Sequence, residues 1–174
     1  PETLVPDAGV RVGAMPDDPQ WSVDTELVHR GRPPAEPGDP VNYPVELSST
    51  YHAGGDVEYA RDGTLGMRAL EEAIGPLECG EAITYASGMA AANAILDLMP
   101  PGAVVVAAEF TYTGVAVRLR ELDERGAIAL RKVDISDTDA VLRALDGAHA
   151  VWIESPTNPM LEIADIAAIS AAAR

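Results

Sequence analysis

The chain has 174 residues, of which 47% are hydrophobic and 23% are charged. This balance is typical of a soluble globular protein, and the length suffices for one domain with a sizeable core. No stretch approaches the ~18 uninterrupted apolar residues that a membrane-spanning helix needs. The formal net charge of −16 argues against nucleic acid and against an anionic membrane surface as partners.

Two residue counts limit the chemistry that this chain can perform. The single cysteine, Cys79, excludes an intrachain disulfide and, with no signal peptide before the first segment, predicts a cytoplasmic location. Of the 12 basic residues, 11 are arginine and only Lys132 is lysine. Chemistry that needs a lysine nucleophile must therefore use Lys132 or no residue of this chain.

Proline and glycine dominate the beginning of the chain. Residues 1–20 carry four prolines and little apolar periodicity, which predicts a loose arm. Residues 22–30 can form a short helix with Ser22 or Asp24 as its cap. Residues 31–46 hold five prolines and two glycines, so we expect an extended polar arm, either disordered or held against a partner surface.

After Gly63 the pattern changes to alternating helices and apolar strands. Helices are predicted at residues 67–74, 89–99, 113–125, 137–145 and 163–174, and strands at 82–86, 103–107, 127–133 and 150–154. This alternation indicates a parallel sheet flanked by helices. Ligands of such sheets bind beyond the carboxyl ends of the strands, so the candidate binding loops are 86–89, 108–114 and 154–159. The pattern stops within the last predicted helix, and a parallel α/β domain is expected to continue after that helix with a further strand.

The stretch Ala86-Ser87-Gly88-Met89-Ala90-Ala91 joins a predicted strand to a predicted helix. Small residues allow a ligand to approach the backbone, and the N-terminus of a helix favours an anion such as phosphate. A tight turn that serves close packing of the helix on the sheet explains the composition equally well. The stretch is neither a dinucleotide-binding glycine motif nor a Walker loop.

Three further groups of residues have side chains suited to a ligand. The two prolines of residues 154–159 (ESPTNP) fix a rigid loop, which can direct an amide at a ligand oxygen or ring. Tyr59 and Arg61 carry donors for phosphate or carboxylate, although without further context two exposed side chains on a surface strand explain them better. Tyr112 can stack on a planar ligand or be a partly buried structural tyrosine. The histidines lack metal-ligand spacing, so no metal site is predicted.

Taken together, these segments resemble the N-terminal part of the Cys/Met-metabolism family of pyridoxal-phosphate (PLP) enzymes. That family includes cystathionine γ-synthase, cystathionine lyases, methionine γ-lyase and the homocysteine-forming sulfhydrylases. The resembling stretches are, in order, 25–31 (TELVHRG), 48–51 (SSTY), 59–63 (YARDG), 70–71 (LE), 86–91 (ASGMAA) and 154–159 (ESPTNP).

The resemblance implies an α/β fold of the aspartate-aminotransferase type, known as PLP fold type I, of which this chain holds an incomplete large domain. Residues 1–62 are then a largely extended N-terminal arm that packs on a neighbouring subunit. Residues 63–174 are the N-terminal half of the PLP-binding domain. The usual assembly of the family is a tetramer built from two active dimers.

The resemblance also assigns the contacts to the cofactor phosphate. Ser87, Gly88 and Met89 match the turn that binds the phosphate, with Gly88 and Met89 as backbone donors. Tyr59 and Arg61 match the pair that reaches this phosphate from the neighbouring subunit. The active site is therefore expected to be a property of a dimer.

Three further residues match contacts to the cofactor ring. Tyr112 corresponds to the tyrosine stacked on the pyridine ring, although residues 110–114 (FTYTG) depart from the usual Tyr-Gly-Gly-Thr. Asn158 corresponds to the residue close to the phenolic oxygen, and Glu154 supports its loop. A second departure lies at residues 64–66 (TLG), where the family commonly has Asn-Pro-Thr.

The family's catalytic residues have no counterpart in this sequence. Its aspartate against the pyridine nitrogen, its Schiff-base lysine and its substrate-carboxylate arginine lie farther along than residue 174. Lys132 lies in a strand-like stretch that matches no lysine motif, so no catalytic residue is predicted here. This chain alone is expected to be inactive.

The resemblance predicts PLP-dependent elimination or replacement at the β or γ carbon of a sulfur-containing or O-activated amino acid. The substrate is then a small amino acid, and the assembly is a homo-oligomer or a heteromer with a chain that carries the C-terminal half. Two alternatives remain. One is a subunit of a split enzyme completed by a second chain, and the other is a binding or regulatory module of the same fold without catalysis.

Overall fold

The computed structural model describes residues 22–173, and the predicted loose arm of residues 1–20 lies outside them. The chain divides into two compact units, one up to residue 84 and the other from residue 85 onward. Within residues 22–173, none of the helices combines the length and the apolar character that a membrane span requires.

Residues 22–84 of the first unit contain two α-helices, each with a hydroxyl cap. Helix α1 spans Val23–His29, and its cap Ser22 accepts the Thr25 N–H. Helix α2 spans Leu65–Ile74, and the side chain of Thr64 accepts the Met67 N–H at 3.2 Å. A hydroxyl at the N-cap replaces one of the missing helical acceptors, which explains why both helices begin where they do. Both predicted helices are confirmed.

A glycine ends the α1 region and contacts α2. Gly31 has a φ of +70°, and a Cβ added there would lie 2.2 Å from the backbone oxygen of Ala69. Ala69 is a buried residue of α2. Glycine is therefore needed at this position both for its backbone conformation and for the close approach of the two chain segments.

The predicted strand at residues 82–86 is wrong, because this segment has no strand structure. The main-chain N–H and the hydroxyl of Thr84 donate to the Glu71 carboxylate at 2.8 and 2.9 Å. A strand requires a hydrogen-bonded neighbour, and no strand of residues 22–173 runs beside this segment. The short apolar run indicated an extended chain without specifying a pairing partner.

The second unit is built around a three-stranded parallel sheet in the order β2-β1-β3. The strands are β1 (Ala103–Ala108), β2 (Ile128–Val133) and β3 (Ala150–Trp152). In the register of the sheet, Ala107 of β1 pairs with Lys132 and with Trp152. The predicted parallel sheet is confirmed, although β3 ends two residues before the predicted position.

Helices cover both faces of this sheet. They are α3 (Gly88–Leu96), α4 (Thr113–Glu124), α5 (Thr138–Ala144) and α6 (Ile166–Ala172). One buried cluster joins α3 and α4 to Val105 and Ala107 of β1. The other joins α5 and α6 to Ala108 of the same strand. Because both faces of β1 are buried, its sequence is apolar at every position.

Candidate functional site

An open pocket of about 590 Å³ lies at the carboxyl ends of β1 and β3. Its walls are mostly apolar, with polar groups confined to a few positions. It is lined by Ser87, Gly88, Met89, Ala91, Ala92, Ile95, Tyr112, Val115, Trp152 and Glu154. Five of the predicted site residues thus line one pocket, at the edge of the sheet where parallel α/β proteins bind ligands.

One end of the pocket is the N-terminus of α3. Ser87 caps the helix, and its hydroxyl accepts the Ala90 N–H at 3.2 Å. The N–H groups of Gly88 and Met89 have no acceptor within residues 22–173. A Cβ added at Gly88 would meet no atom within 4 Å, so the space in front of it is open. Free N–H groups at the start of a helix favour an anionic ligand group here.

Glu154 ties together the loops that follow β1 and β3. Its Oε2 accepts the main-chain N–H of Tyr112 at 2.8 Å and the hydroxyl of Thr111 at 2.5 Å. Thr111 is only 6% exposed, whereas the Tyr112 residue is 50% exposed at the pocket wall. The carboxylate therefore fixes the main chain at Tyr112, while the phenol ring remains accessible to a ligand.

The apolar wall includes Trp152, which was not predicted as a site residue. Trp152 and Met89 pack against the cluster that joins α3, α4 and β1. Val151 and Ile153, on either side of Trp152 in the sequence, pack against the cluster on the opposite face of the sheet. The alternation of side chains along an extended segment was the signal that could have placed Trp152 on the pocket side.

Asn158 lies in the loop after β3, where it is exposed and not among the residues that line the pocket. The loop is held by its own hydrogen bonds. Thr157, which is 1% exposed, donates its hydroxyl to the Glu162 carboxylate and accepts the Glu162 N–H. The hydroxyl of Ser155 accepts the Ala164 N–H at 3.0 Å. These contacts restrain the backbone on both sides of Asn158, and its cofactor role stays a prediction.

Tyr59 and Arg61 belong to the first unit. Tyr59 forms an isolated antiparallel bridge with Thr50, and Arg61 follows in a 3₁₀ turn at Ala60–Asp62. The Arg61 guanidinium lies 4.1 Å from the centre of the Tyr59 ring. Within residues 22–173 this guanidinium forms no salt bridge. The cation–π contact holds the two side chains together and leaves the guanidinium's donors available for an anion.

Comparison with known proteins identifies the family. The model of the Cys/Met metabolism PLP-dependent enzyme family matches residues 24–174. The chain belongs to this family. The family match confirms the predicted family and its cofactor, PLP.

Curated relatives of the Cys/Met metabolism family include two enzymes of sulfur amino-acid metabolism. Cystathionine β-lyase of Lactococcus lactis subsp. cremoris MG1363 is 31% identical over 160 residues, which cover 88% of this chain and 42% of the relative. Cystathionine γ-synthase of Mycobacterium tuberculosis H37Rv is 35% identical over 155 residues, which cover 84% of this chain and 40% of the relative. The chain thus spans about two fifths of the length of these relatives.

Solved structures of the family share the fold. A cystathionine γ-lyase from Micromonospora echinospora matches with a TM-score of 0.74 and 33% identity, covering 88% of this chain and 42% of that one. A cystathionine γ-lyase from Lactobacillus plantarum, in complex with L-serine, matches with a TM-score of 0.74 and 30% identity over the same shares. These similarities confirm the predicted α/β fold of PLP fold type I.

The pocket of this family member fits the two chemical ends of PLP. The free N–H groups at the start of α3 suit a phosphate dianion. The half-exposed ring of Tyr112 and the apolar wall beside Trp152 suit a planar aromatic ring. Lys132, by contrast, is exposed on the edge strand β2 and does not line the pocket. Among residues 22–173, no group of three or more His, Cys, Asp or Glu residues is placed to hold a metal ion.

Proposed function

We propose that the protein catalyses PLP-dependent elimination or replacement at the β or γ carbon of a sulfur-containing or O-activated amino acid. In this proposal the second unit holds the phosphate and the ring of the cofactor. The observation that supports it most is the pocket that places free N–H groups and an exposed tyrosine ring at one sheet edge. The names of the relatives support the substrate class. The proposed location is the cytoplasm.

PLP, when bound, supplies an electron sink for the bonds at the substrate's α carbon. The residues of this chain bind and orient the cofactor. The N–H groups of Gly88 and Met89 hold the phosphate, aided by the dipole of α3. The ring of Tyr112 sets the plane of the cofactor, and Glu154 holds the main chain of Tyr112. The apolar wall excludes water from one side of the site.

We infer that the covalent link to PLP is made by a lysine other than Lys132. Lys132 is the one lysine of the sequence, and it is exposed outside the pocket. The required lysine would lie farther along the same polypeptide or on a second subunit. A homo-oligomer is the proposed assembly in the first case and a heteromer in the second.

Substitution of Gly88 by proline tests the phosphate site. Gly88 is the first residue of α3. Proline is tolerated at this position because an N–H there has no acceptor within the helix, so its loss breaks no helical hydrogen bond. The preceding Ser87 is extended, with φ −159° and ψ 156°, which is compatible with a following proline. Gly88→Pro therefore removes one donor, places ring carbons in the open space in front of it and leaves the helix intact. We expect PLP to bind about ten-fold more weakly, measured by quenching of tryptophan fluorescence.

A matched control is Thr138→Pro, which places proline at the first position of α5 in the same unit but outside the pocket. Its PLP affinity should equal that of the unsubstituted protein. If Gly88→Pro also binds PLP with unchanged affinity, the proposed phosphate site is wrong. An assembly that includes the lysine-bearing part and binds PLP at this site without turnover of any amino acid would instead indicate the non-catalytic module.

Arg61→Ala tests the proposed contact from the neighbouring subunit. A charge-assisted bond to phosphate contributes about 1.5–3 kcal/mol, so PLP should bind at least about ten-fold more weakly. Arg120→Ala serves as the control. Arg120 is another exposed arginine, but its guanidinium is paired with the Glu124 carboxylate at 3.8 Å. The control variant should retain its PLP affinity.

Hybrid assemblies distinguish a contact across the subunit boundary from one within a subunit. Subunits carrying Arg61→Ala are dissociated and reassembled with subunits carrying Gly88→Pro. If each site combines Arg61 of one subunit with Gly88 of the other, a hybrid dimer regains one site of normal affinity. If all sites of the mixture bind PLP weakly, the intersubunit assignment is wrong.

A further inference from the structure

Gly114 lies between two side chains of the pocket. It is the second residue of α4, directly after Thr113. A Cβ added at Gly114 would lie 2.7 Å from Cε1 of Tyr112 and 2.8 Å from Sδ of Met89. Carbon atoms in favourable contact are about 3.5–4.0 Å apart. Any side chain at this position would therefore displace the Tyr112 ring, the Met89 thioether or both.

The backbone of Gly114 does not itself require glycine. Its φ lies outside the left-handed region, so an alanine could adopt the same conformation. Glycine also stabilises a helix less than alanine does. Glycine at position 114 is therefore explained by its lack of a side chain, which leaves room for the side chains of Tyr112 and Met89.

We propose that Gly114 is a positioning residue that sets the place of the Tyr112 ring in the pocket. This inference rests on the proposed function, in which that ring stacks on the cofactor. The carboxylate of Glu154 holds the main chain of Tyr112 at 2.8 Å, so crowding at position 114 is relieved by movement of side chains, which includes rotation of the ring. The three atoms nearest to the added Cβ all belong to side chains, so this relief does not require unfolding.

The test is Gly114→Ala in the purified protein, with PLP as the probe. Trp152 lines the pocket, so quenching of the protein's tryptophan fluorescence reports on PLP binding. We expect about ten-fold weaker binding, the size of a lost aromatic stacking contact, with a melting temperature close to that of the unsubstituted protein. Gly66→Ala is the matched control, because Gly66 is the second residue of α2 and its nearest atom is 3.9 Å away. This control should leave PLP affinity unchanged.

A double-mutant cycle with Tyr112→Ala separates this inference from the proposed function. If Gly114 acts through the ring, Gly114→Ala should have no further effect on PLP affinity once Tyr112 is alanine. Equal weakening in both backgrounds, or no weakening in either, overturns the positioning role. If Tyr112→Ala itself leaves PLP affinity unchanged, the proposed stacking fails, and the role of Gly114 fails with it. Weakening by Tyr112→Ala but not by Gly114→Ala overturns the positioning role alone.

Discussion

Replacement of Glu154 by alanine should lower the free energy of unfolding by about 3 kcal/mol and weaken PLP binding by at least about ten-fold. Glu154 accepts two hydrogen bonds, from the Tyr112 N–H and from the Thr111 hydroxyl. A hydrogen bond to a charged group contributes about 1.5–3 kcal/mol. Thr111 is 6% exposed, so its hydroxyl has little access to replacement water. The loop that carries the Tyr112 ring would lose both anchors.

Two variants separate the roles of charge and geometry at this position. Glu154→Gln keeps an acceptor oxygen of similar reach but removes the charge, so both effects should be intermediate. Glu109→Ala removes an exposed carboxylate just after β1, where the main-chain N–H of Glu109 donates to Val133 at 2.8 Å. This control should affect neither property. If denaturant unfolds Glu154→Ala and Glu109→Ala at the same concentration, Glu154 does not anchor the two loops.

Local signals explain why the second unit could be predicted from the sequence. Strand β1 is apolar at all six positions because both of its faces are covered. Ser87, Asp137 and Asp165 each cap the helix that follows, through a side-chain oxygen that accepts a main-chain N–H. Gly126, just past α4, has the left-handed φ of 68° that often ends a helix. Each of these signals lies within a few residues of the element that it specifies.

What the sequence could not specify depends on contacts between distant residues. The predicted strand at residues 82–86 is wrong because a strand needs a hydrogen-bonded partner strand. The main-chain N–H of Thr84 instead donates to the carboxylate of Glu71, 13 residues away. The role of Gly114 depends on Met89, in a different helix, and on the direction of the Tyr112 ring. Local polarity and periodicity do not encode such steric relations. The cofactor itself was predicted from the ordered set of family motifs, since the turn at residues 86–91 was explained equally well by packing.

Gly31→Ala should destabilise the first unit by about 3 kcal/mol. An alanine at φ +70° has an unfavourable left-handed conformation, which costs about 1–2 kcal/mol. Its Cβ would lie 2.2 Å from the backbone oxygen of Ala69 and 3.3 Å from Cβ of Ala73. Both neighbours belong to α2, so no side-chain rotation relieves the overlap and the helix must shift. Such overpacking adds about 1–3 kcal/mol.

Gly38→Ala isolates the backbone contribution from the steric one. Gly38 also has a left-handed φ, of +97°, but an added Cβ would meet no atom within 4 Å. Gly38→Ala should therefore lose only the part of the stability that comes from the unfavourable left-handed conformation. Because the chain divides into two compact units, amide hydrogen exchange along α2 is the appropriate measurement, since it reports the stability of the first unit directly. Protection of α2 should fall much more in Gly31→Ala than in Gly38→Ala, and equal losses would show that Gly31 does not hold α2 in contact with the end of α1.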